Sequence, residues 1–250
     1  MCGRYVSARD RNQLMKMFKI EELEADEELR PDYNVAPTRK SAVVISAPPP
    51  EAPKDAEPVR QLRNFRWGLI PSWAKAKGKF GSGLINARAE TVHEKPSFRR
   101  AFTSRRLLIP IDGFYEWFPL PGQDGVKKPV KQPYLLRPAD SGVLTLAGLY
   151  ETWRDPEAPE DDEPVTRFTI ITTTATDDLG YVHDRMPMVI VPENWEAWLD
   201  PRLSDVEEIR ALMAPPAEGT LEIFPVSTAV NSIRNNGPQL MDRAEPITLS

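Results

Sequence analysis

The sequence predicts an α+β fold, a single domain dominated by twisted, mostly antiparallel, barrel-like β-sheet with a few flanking helices. Three observations carry that prediction. Short β-branched runs recur along the 250 residues, separated by polar or proline-rich loops. Helical periodicity is confined to a few short segments, and strands and helices do not alternate regularly. No stretch of the chain repeats.

Taken in order, Ser7 is expected to cap a first helix, with Asp10 answering it and Leu14, Met15 and Phe18 on one apolar face. Residues 21–30 should form a solvated, acidic helix end or loop. Residues 33–38 (Tyr-Asn-Val-Ala-Pro-Thr) form a turn, in which Pro37 forces extended backbone at Ala36 and Asn34 is a turn former by type. A strand at 41–46 and its return at 60–69 flank a loop with five prolines. The 75–83 stretch is basic and glycine-rich, and it matches neither the dinucleotide fingerprint nor the P-loop. No nucleotide cofactor is expected. Ser97 should cap a helical turn through Phe102. Residues 107–118 are a buried strand pair broken at Asp112-Gly113, and 134–137, 143–153 and 166–174 are further strands. Helices follow at 194–199 and 204–213, the second opening on a capping box from Ser204 to Glu207. A last strand covers 221–227, and the tail beyond Asn235 should be mostly irregular.

Hydrophobic content of 40% and charged content of 28% describe an ordinary globular chain. One cysteine and two histidines, His93 and His183, exclude a disulfide framework and a Cys/His zinc cluster. With no membrane-length apolar run and no signal-peptide pattern, a reducing, cytoplasmic setting is expected. The formal charge of -5 hides an uneven distribution. Residues 21–28 and 155–163 hold six acids each and no base, and without those twelve, 25 acids face 32 bases, a net +7. Between Arg60 and Arg106 there are twelve Lys/Arg against only Glu90 and Glu94, interleaved with Trp67, Trp73, Phe80, Phe98 and Phe102. That combination suits a phosphate backbone with aromatic platforms for unstacked bases, although each residue alone also fits a solvated face or an ordinary core.

The sharpest chemical signal is at the start, Met1-Cys2-Gly3-Arg4. A small penultimate side chain permits removal of Met1, which would leave an α-amine and a thiol on adjacent carbons. Such an aminothiol condenses with an aldehyde and closes to a thiazolidine. Reference pKa values of about 7.7 to 8.0 for the amine and about 8.5 for the thiol leave useful fractions of both nucleophiles at neutral pH. The alternative is a small residue at a frayed end; Gly3 and Arg4 beside it argue against simple burial. Glu116, among Tyr115, Trp117 and Phe118, must either find a partner or take up a proton, so it is an acid–base candidate beside the plainer role of an ion pair or backbone cap. His183, in a turn beside Arg185, is placed for proton transfer, though a lone histidine is usually only a tolerated polar residue.

Met-Cys-Gly-Arg at the start, the 33–38 turn, Trp-Gly-Leu-Ile-Pro-Ser-Trp at 67–73, Ile-Asn-Ala-Arg-Ala-Glu-Thr at 85–91, Asp-Gly-Phe-Tyr-Glu-Trp at 112–117 and His-Asp-Arg-Met-Pro at 183–187 together resemble the SRAP family. These are the SOS-response-associated peptidase-like, abasic-site processing proteins. The resemblance runs in order from Cys2 to about Gly237, and it implies a domain over 1–237 followed by a tail over 238–250. It further implies a monomer that crosslinks Cys2 to the open-chain aldehyde of an abasic deoxyribose in single-stranded DNA, in the cytoplasm or at the nucleoid in a bacterium. Asn86 would then orient Cys2 and the sugar, Glu116 would position or deprotonate the amine, and His183 would move protons on the sugar oxygen. Arg4, Arg88 and Arg185 would hold phosphates, and Asn34, Pro37 and Trp73 would complete the DNA surface, Pro37 and Trp73 at the gap left by the missing base. Ala74 stands where some relatives carry a second aromatic. Neither metal nor organic cofactor is implied. Two other readings remain open: a cysteine hydrolase or peptidase using Cys2, His183 and Asn231 or Asn235, and a non-covalent reader of damaged or modified DNA.

Overall fold

The computed structural model describes residues 2–20, 22–23, 29–53, 55–75, 83–120, 129–159, 163–175, 184–213 and 219–248. The N-terminal half holds β1 (Tyr5–Ser7), α1 (Arg11–Phe18), β2 (Glu22–Leu23), β3 (Asp32–Val35), β4 (Lys40–Ala47), β5 (Val59–Trp67), β6 (Asn86–Arg88), α2 (Arg99–Ser104), β7 (Arg106–Ile111) and β8 (Gly113–Pro119). There follow β9 (Lys131–Pro138), β10 (Leu144–Trp153), β11 (Val165–Thr174), β12 (Arg185–Pro187), α3 (Trp195–Leu199), α4 (Val206–Ala211) and β13 (Leu221–Pro225). No helix among the described residues is long and apolar enough to cross a membrane.

The strands form two sheets, ordered β13-β9-β8-β1-β3 and β12-β11-β10-β7-β4-β5-β2. A parallel contact between β5 and β11 closes the ring β11-β10-β7-β4-β5, so the larger sheet curls into a five-stranded barrel. β7 is buried along its whole length and β4 from Ser41 to Ile45, as strands covered on both faces must be, and their sequences there are correspondingly apolar runs rather than alternating ones. The space between the sheets is filled by Tyr5, Trp67, Phe114, Phe168 and the aliphatic side chains of β4 and β7.

The buried pair expected over 107–118 is two strands that do not pair with each other. β7 belongs to the barrel and β8 to the smaller sheet, and the chain changes sheets at Asp112. The Asp112 carboxylate secures that corner by accepting from the Ala8 amide at 2.8 Å and from Arg9 Nε at 2.6 Å. Gly113 is required there, because a Cβ would lie 2.8 Å from the Leu136 carbonyl oxygen.

Helix starts are displaced from the expected caps. Asp10, not Ser7, caps α1, accepting from the Gln13 amide at 2.9 Å while Gln13 Oε1 accepts from the Asp10 amide at 3.1 Å. Ser7 is already engaged as the last residue of β1. α2 opens at Phe98 with no side-chain cap from Ser97, and Asp205 replaces Ser204 as the cap of α4. The 33–38 segment is half strand, with β3 pairing antiparallel to β1 before the turn begins.

Candidate functional site

β1 runs between β3 and β8 as an interior strand, with Tyr5 opposite both Val35 and Phe114. That double pairing ties down the start of the chain and sets Cys2 in the core between the sheets, with no exposed surface. Gly3 and Arg4 therefore do not keep Cys2 at the surface. Burial raises the pKa of its thiol, and the Glu116 carboxylate pushes the same way, so the thiol is neutral at physiological pH and the expected thiolate fraction is absent in this state.

Asn86 reaches the same point from the other sheet. Its Nδ2 donates to the Cys2 carbonyl at 2.9 Å, whereas its Oδ1 is buried without a hydrogen-bond partner among the described residues. Two constraints place it. β6 pairs in parallel with β11, setting Asn86 opposite Ile170, and the buried Trp67 indole donates to the Ile85 carbonyl at 2.9 Å. Strand alternation then buries Ala87 and turns Arg88, on the face of Asn86, to solvent.

Glu116 follows from the register of β8. The Tyr115 amide donates to the Arg4 carbonyl at 2.9 Å, and continuing that antiparallel run sets Glu116 opposite Gly3, beside Cys2. It is 5% exposed, and burial pushes its carboxyl up to about 7, with Asp184 pushing the same way and Lys131 opposing. A carboxyl that titrates there can accept or return a proton at neutral pH. Asp184, which sequence reasoning passed over, thus bears on Glu116 from the start of the β12 region; its only signal was adjacency to His183. His183 itself lies outside the described residues, as do 76–82 of the basic stretch and 24–28 of the first acidic run.

The expected DNA-binding residues fall into two groups. Arg88 is solvent-exposed, and Trp73 is 58% exposed with its indole Nε1 donating to the Pro96 carbonyl at 3.3 Å. Ala74 packs inward with Ile70 and Trp153, whose indole donates to the Ala74 carbonyl at 2.7 Å, so position 74 offers no stacking face here. Pro37 is half-buried at the second position of a turn closed from the Arg39 amide to the Ala36 carbonyl at 3.1 Å. Thr38 at the third position has φ of 74°, the left-handed geometry of a type II turn, held by a 2.9 Å bond to the Trp67 carbonyl.

The second group is engaged internally. Arg185 makes a two-pronged pair with Glu90, at 2.6 and 3.0 Å, and donates to the Thr172 carbonyl at 2.6 Å. Hydrogen bonding to Arg185 lowers the pKa of Glu90. Arg4 donates to Asn34 Oδ1 at 2.7 Å and to the Val230 carbonyl at 2.8 Å, and its guanidinium lies over the Trp117 ring at 5.6 Å. Asn34 is a correction to the sequence expectation. It has no exposed surface, and its amide donates to the carbonyls of Val230, Ser232 and Asn235 while its oxygen holds Arg4. Those bonds clamp the 228–235 segment against β1 and β3.

A family model described as "SOS response associated peptidase (SRAP)" matches residues 1–233. The chain belongs to that family. It is 38% identical over 242 residues to "Abasic site processing protein YoqW" of Bacillus subtilis, covering 97% of this chain and 99% of the relative. Identity to "Abasic site processing protein HMCES" of Gallus gallus is 33% over 234 residues, covering 85% of this chain and 66% of the relative. Among solved structures, a protein from Bacteroides thetaiotaomicron shares this SRAP fold with a TM-score of 0.79 at 24% identity, covering 98% of this chain and all of that one. Within the family assignment, the described residues bring half-buried Asn86 to buried Cys2 and Glu116 and set Arg88 beside them on the face of β6 that carries Asn86. They contain no cluster of three or more His, Cys, Asp or Glu suited to a metal ion.

Proposed function

We propose that the protein processes abasic sites in single-stranded DNA by forming a thiazolidine between Cys2, freed of Met1, and the ring-opened deoxyribose. The observation that carries this reading is the convergence of Asn86 on the Cys2 carbonyl with Glu116, whose carboxyl titrates near 7, on the strand that faces Cys2. The names of the Bacillus and Gallus relatives supply the substrate class.

While Met1 is attached, the Cys2 nitrogen is an unreactive amide, so its removal is the activating step. The free amine adds to the sugar aldehyde, and the carbinolamine loses water to give an imine. Glu116 takes a proton from the α-ammonium, which frees the amine to attack, and returns one to the departing hydroxyl. The thiol then adds to the imine carbon: a C–S bond forms, and the thiol proton passes to the former imine nitrogen. Because the thiol enters second, as a neutral group already beside the imine, its raised pKa does not block the reaction; proximity replaces ionisation. Asn86 fixes the Cys2 carbonyl and hence the directions of amine and thiol. His183 is assigned the sugar-oxygen proton on the strength of the family motif. A hydrolase needs a standing thiolate, which a buried thiol does not provide, and Asn231 and Asn235 are spent on Trp117 and Ala229 at 2.6 and 2.8 Å. These features weigh against that alternative.

Intact-mass analysis after incubation with single-stranded DNA carrying one abasic site tests the proposal. The expected result is loss of Met1 and a covalent adduct, absent with undamaged DNA and with Cys2→Ala. A protein that keeps Met1 and forms no adduct would overturn it.

A further inference from the structure

Trp67 has no exposed surface and stands where three parts of the site meet. Its backbone exchanges two hydrogen bonds with the Pro37 turn: its amide donates to the Arg39 carbonyl at 2.9 Å, and its carbonyl accepts from the Thr38 amide at 2.9 Å. Its ring packs against Tyr5 of β1, centroids 5.1 Å apart, and against Phe168 of β11, 6.4 Å away and stacked within 9°. Its indole Nε1 donates to the Ile85 carbonyl at 2.9 Å, one residue before Asn86. A buried indole packed against two rings has little room to turn, so these contacts hold fixed distances.

The indole bond is not needed to fold β6. The Ile85 carbonyl already accepts from the Ile170 amide at 3.1 Å, and Leu84 and Leu69 exchange backbone bonds at 2.9 and 3.1 Å just before it. A carbonyl oxygen has two lone pairs, and Trp67 fills the second. β11 thus supplies one anchor and β5 another, and the second fixes the direction in which β6 presents Asn86 to the Cys2 carbonyl. Chemistry is sensitive to such placement: a displacement of about 1 Å can cost roughly 10² in rate.

We infer that Trp67 is a positioning residue for the reaction at Cys2. Its indole sets Asn86 against the Cys2 carbonyl, and its backbone registers that pair to the turn carrying Pro37, the residue assigned to the gap left by the missing base. This role rests on the proposed function. With the turn in the gap, the sugar beside it is delivered to Cys2 across one buried ring, not across a loop free to shift.

Site-specific Trp67→benzothienylalanine tests the role, because it keeps the shape of the ring and removes its N–H. The Ile85 carbonyl keeps the Ile170 amide, so no buried acceptor loses its last donor, and the urea midpoint should match that of the parent. Adduct formation at saturating abasic single-stranded DNA should slow by about tenfold to a hundredfold, with the affinity for undamaged DNA unchanged. The Asn86 side-chain amide resonance, read without DNA, should shift. Added to Pro37→Ala, the change should slow the reaction less than it does alone, because each loosens the same link. Adduct formation at the parent rate overturns the role, as does an unshifted Asn86 resonance or a slowing matched by lost stability or DNA affinity. Strictly additive effects with Pro37→Ala overturn the link to the turn. If the unsubstituted protein forms no adduct, the proposed function falls and this role with it; a competent parent beside an equally competent variant removes the role alone.

Discussion

Glu116 couples stability to pH through the burial that raises its carboxyl pKa. Its carboxyl titrates near 7 in the fold and at its ordinary 4.5 in the unfolded chain, so between those values the native state binds more protons. Stability is therefore full below about 4.5 and is lost as pH rises through 7, by roughly 2 to 3 kcal/mol. Glu116→Gln removes that dependence, and urea unfolding at pH 5 and pH 8 should show a smaller difference in the variant than in the parent. The crosslinking rate should run the other way, rising with pH through about 7 in the parent, whereas the variant is slower by about 10² to 10⁴ and lacks that limb. A variant that kept the limb would assign it to another group. Asn34 gives a different residue-scale prediction. Asn34→Ala strips a buried donor–acceptor from the 228–235 clamp and leaves the half-buried Arg4 short of an acceptor, which should cost roughly 2 to 3 kcal/mol in urea unfolding. Direct contact with DNA would instead weaken binding without loss of stability. Cys2, Asn86 and Glu116 were legible because each sits in a short, distinctive motif. Asn34 was not, because its partners lie about 200 residues away and no local pattern reports them.

The elements themselves were legible where a strand is long and apolar, and less so at their ends. β4, β5, β10 and β11 lie where apolar runs and β-branching set them, because burial and propensity agree there. The helix caps moved because Asp and Ser compete for the same role within a few residues, and strand pairing claims Ser7 first. That β7 and β8 part company was invisible locally, since a tight corner and a hairpin share the Asp-Gly signal. The Ala36–Arg39 turn holds a further consequence. A β-branched residue at φ of 74° costs about 1 to 3 kcal/mol, and the greater unfolded-state freedom of glycine offsets about 0.5 to 1 of that. Thr38→Gly should therefore stabilise the protein by about 1 kcal/mol, read as a higher urea midpoint at unchanged slope. A lower midpoint would mean that packing of the Thr38 side chain outweighs the strain.

Across the whole molecule, a net charge of -5 coexists with a basic segment from Arg60 to Arg106, and the fold decides which of those charges can meet DNA. Sequence alone cannot rank them, because a guanidinium in an ion pair and one in solvent look alike in composition. The structure separates Arg88, exposed on β6, from Arg185, whose side chain is 13% exposed and locked to Glu90 and Thr172. For single strands each neutralised phosphate contributes about 0.7 to the slope of log affinity against log salt. Arg88→Ala should therefore lower that slope by about 0.7 and weaken binding of undamaged single-stranded DNA, with stability within about 0.5 kcal/mol of the parent. Arg185→Ala should behave oppositely. It releases the Glu90 carboxylate beside Arg88 and removes a partner from the β11–β12 pair, so stability falls while the salt slope changes little. Fluorescence anisotropy across a salt series, paired with urea unfolding, measures both quantities. If Arg185→Ala lowers the slope as much as Arg88→Ala does, the Glu90 pair opens when DNA binds and Arg185 turns to the strand.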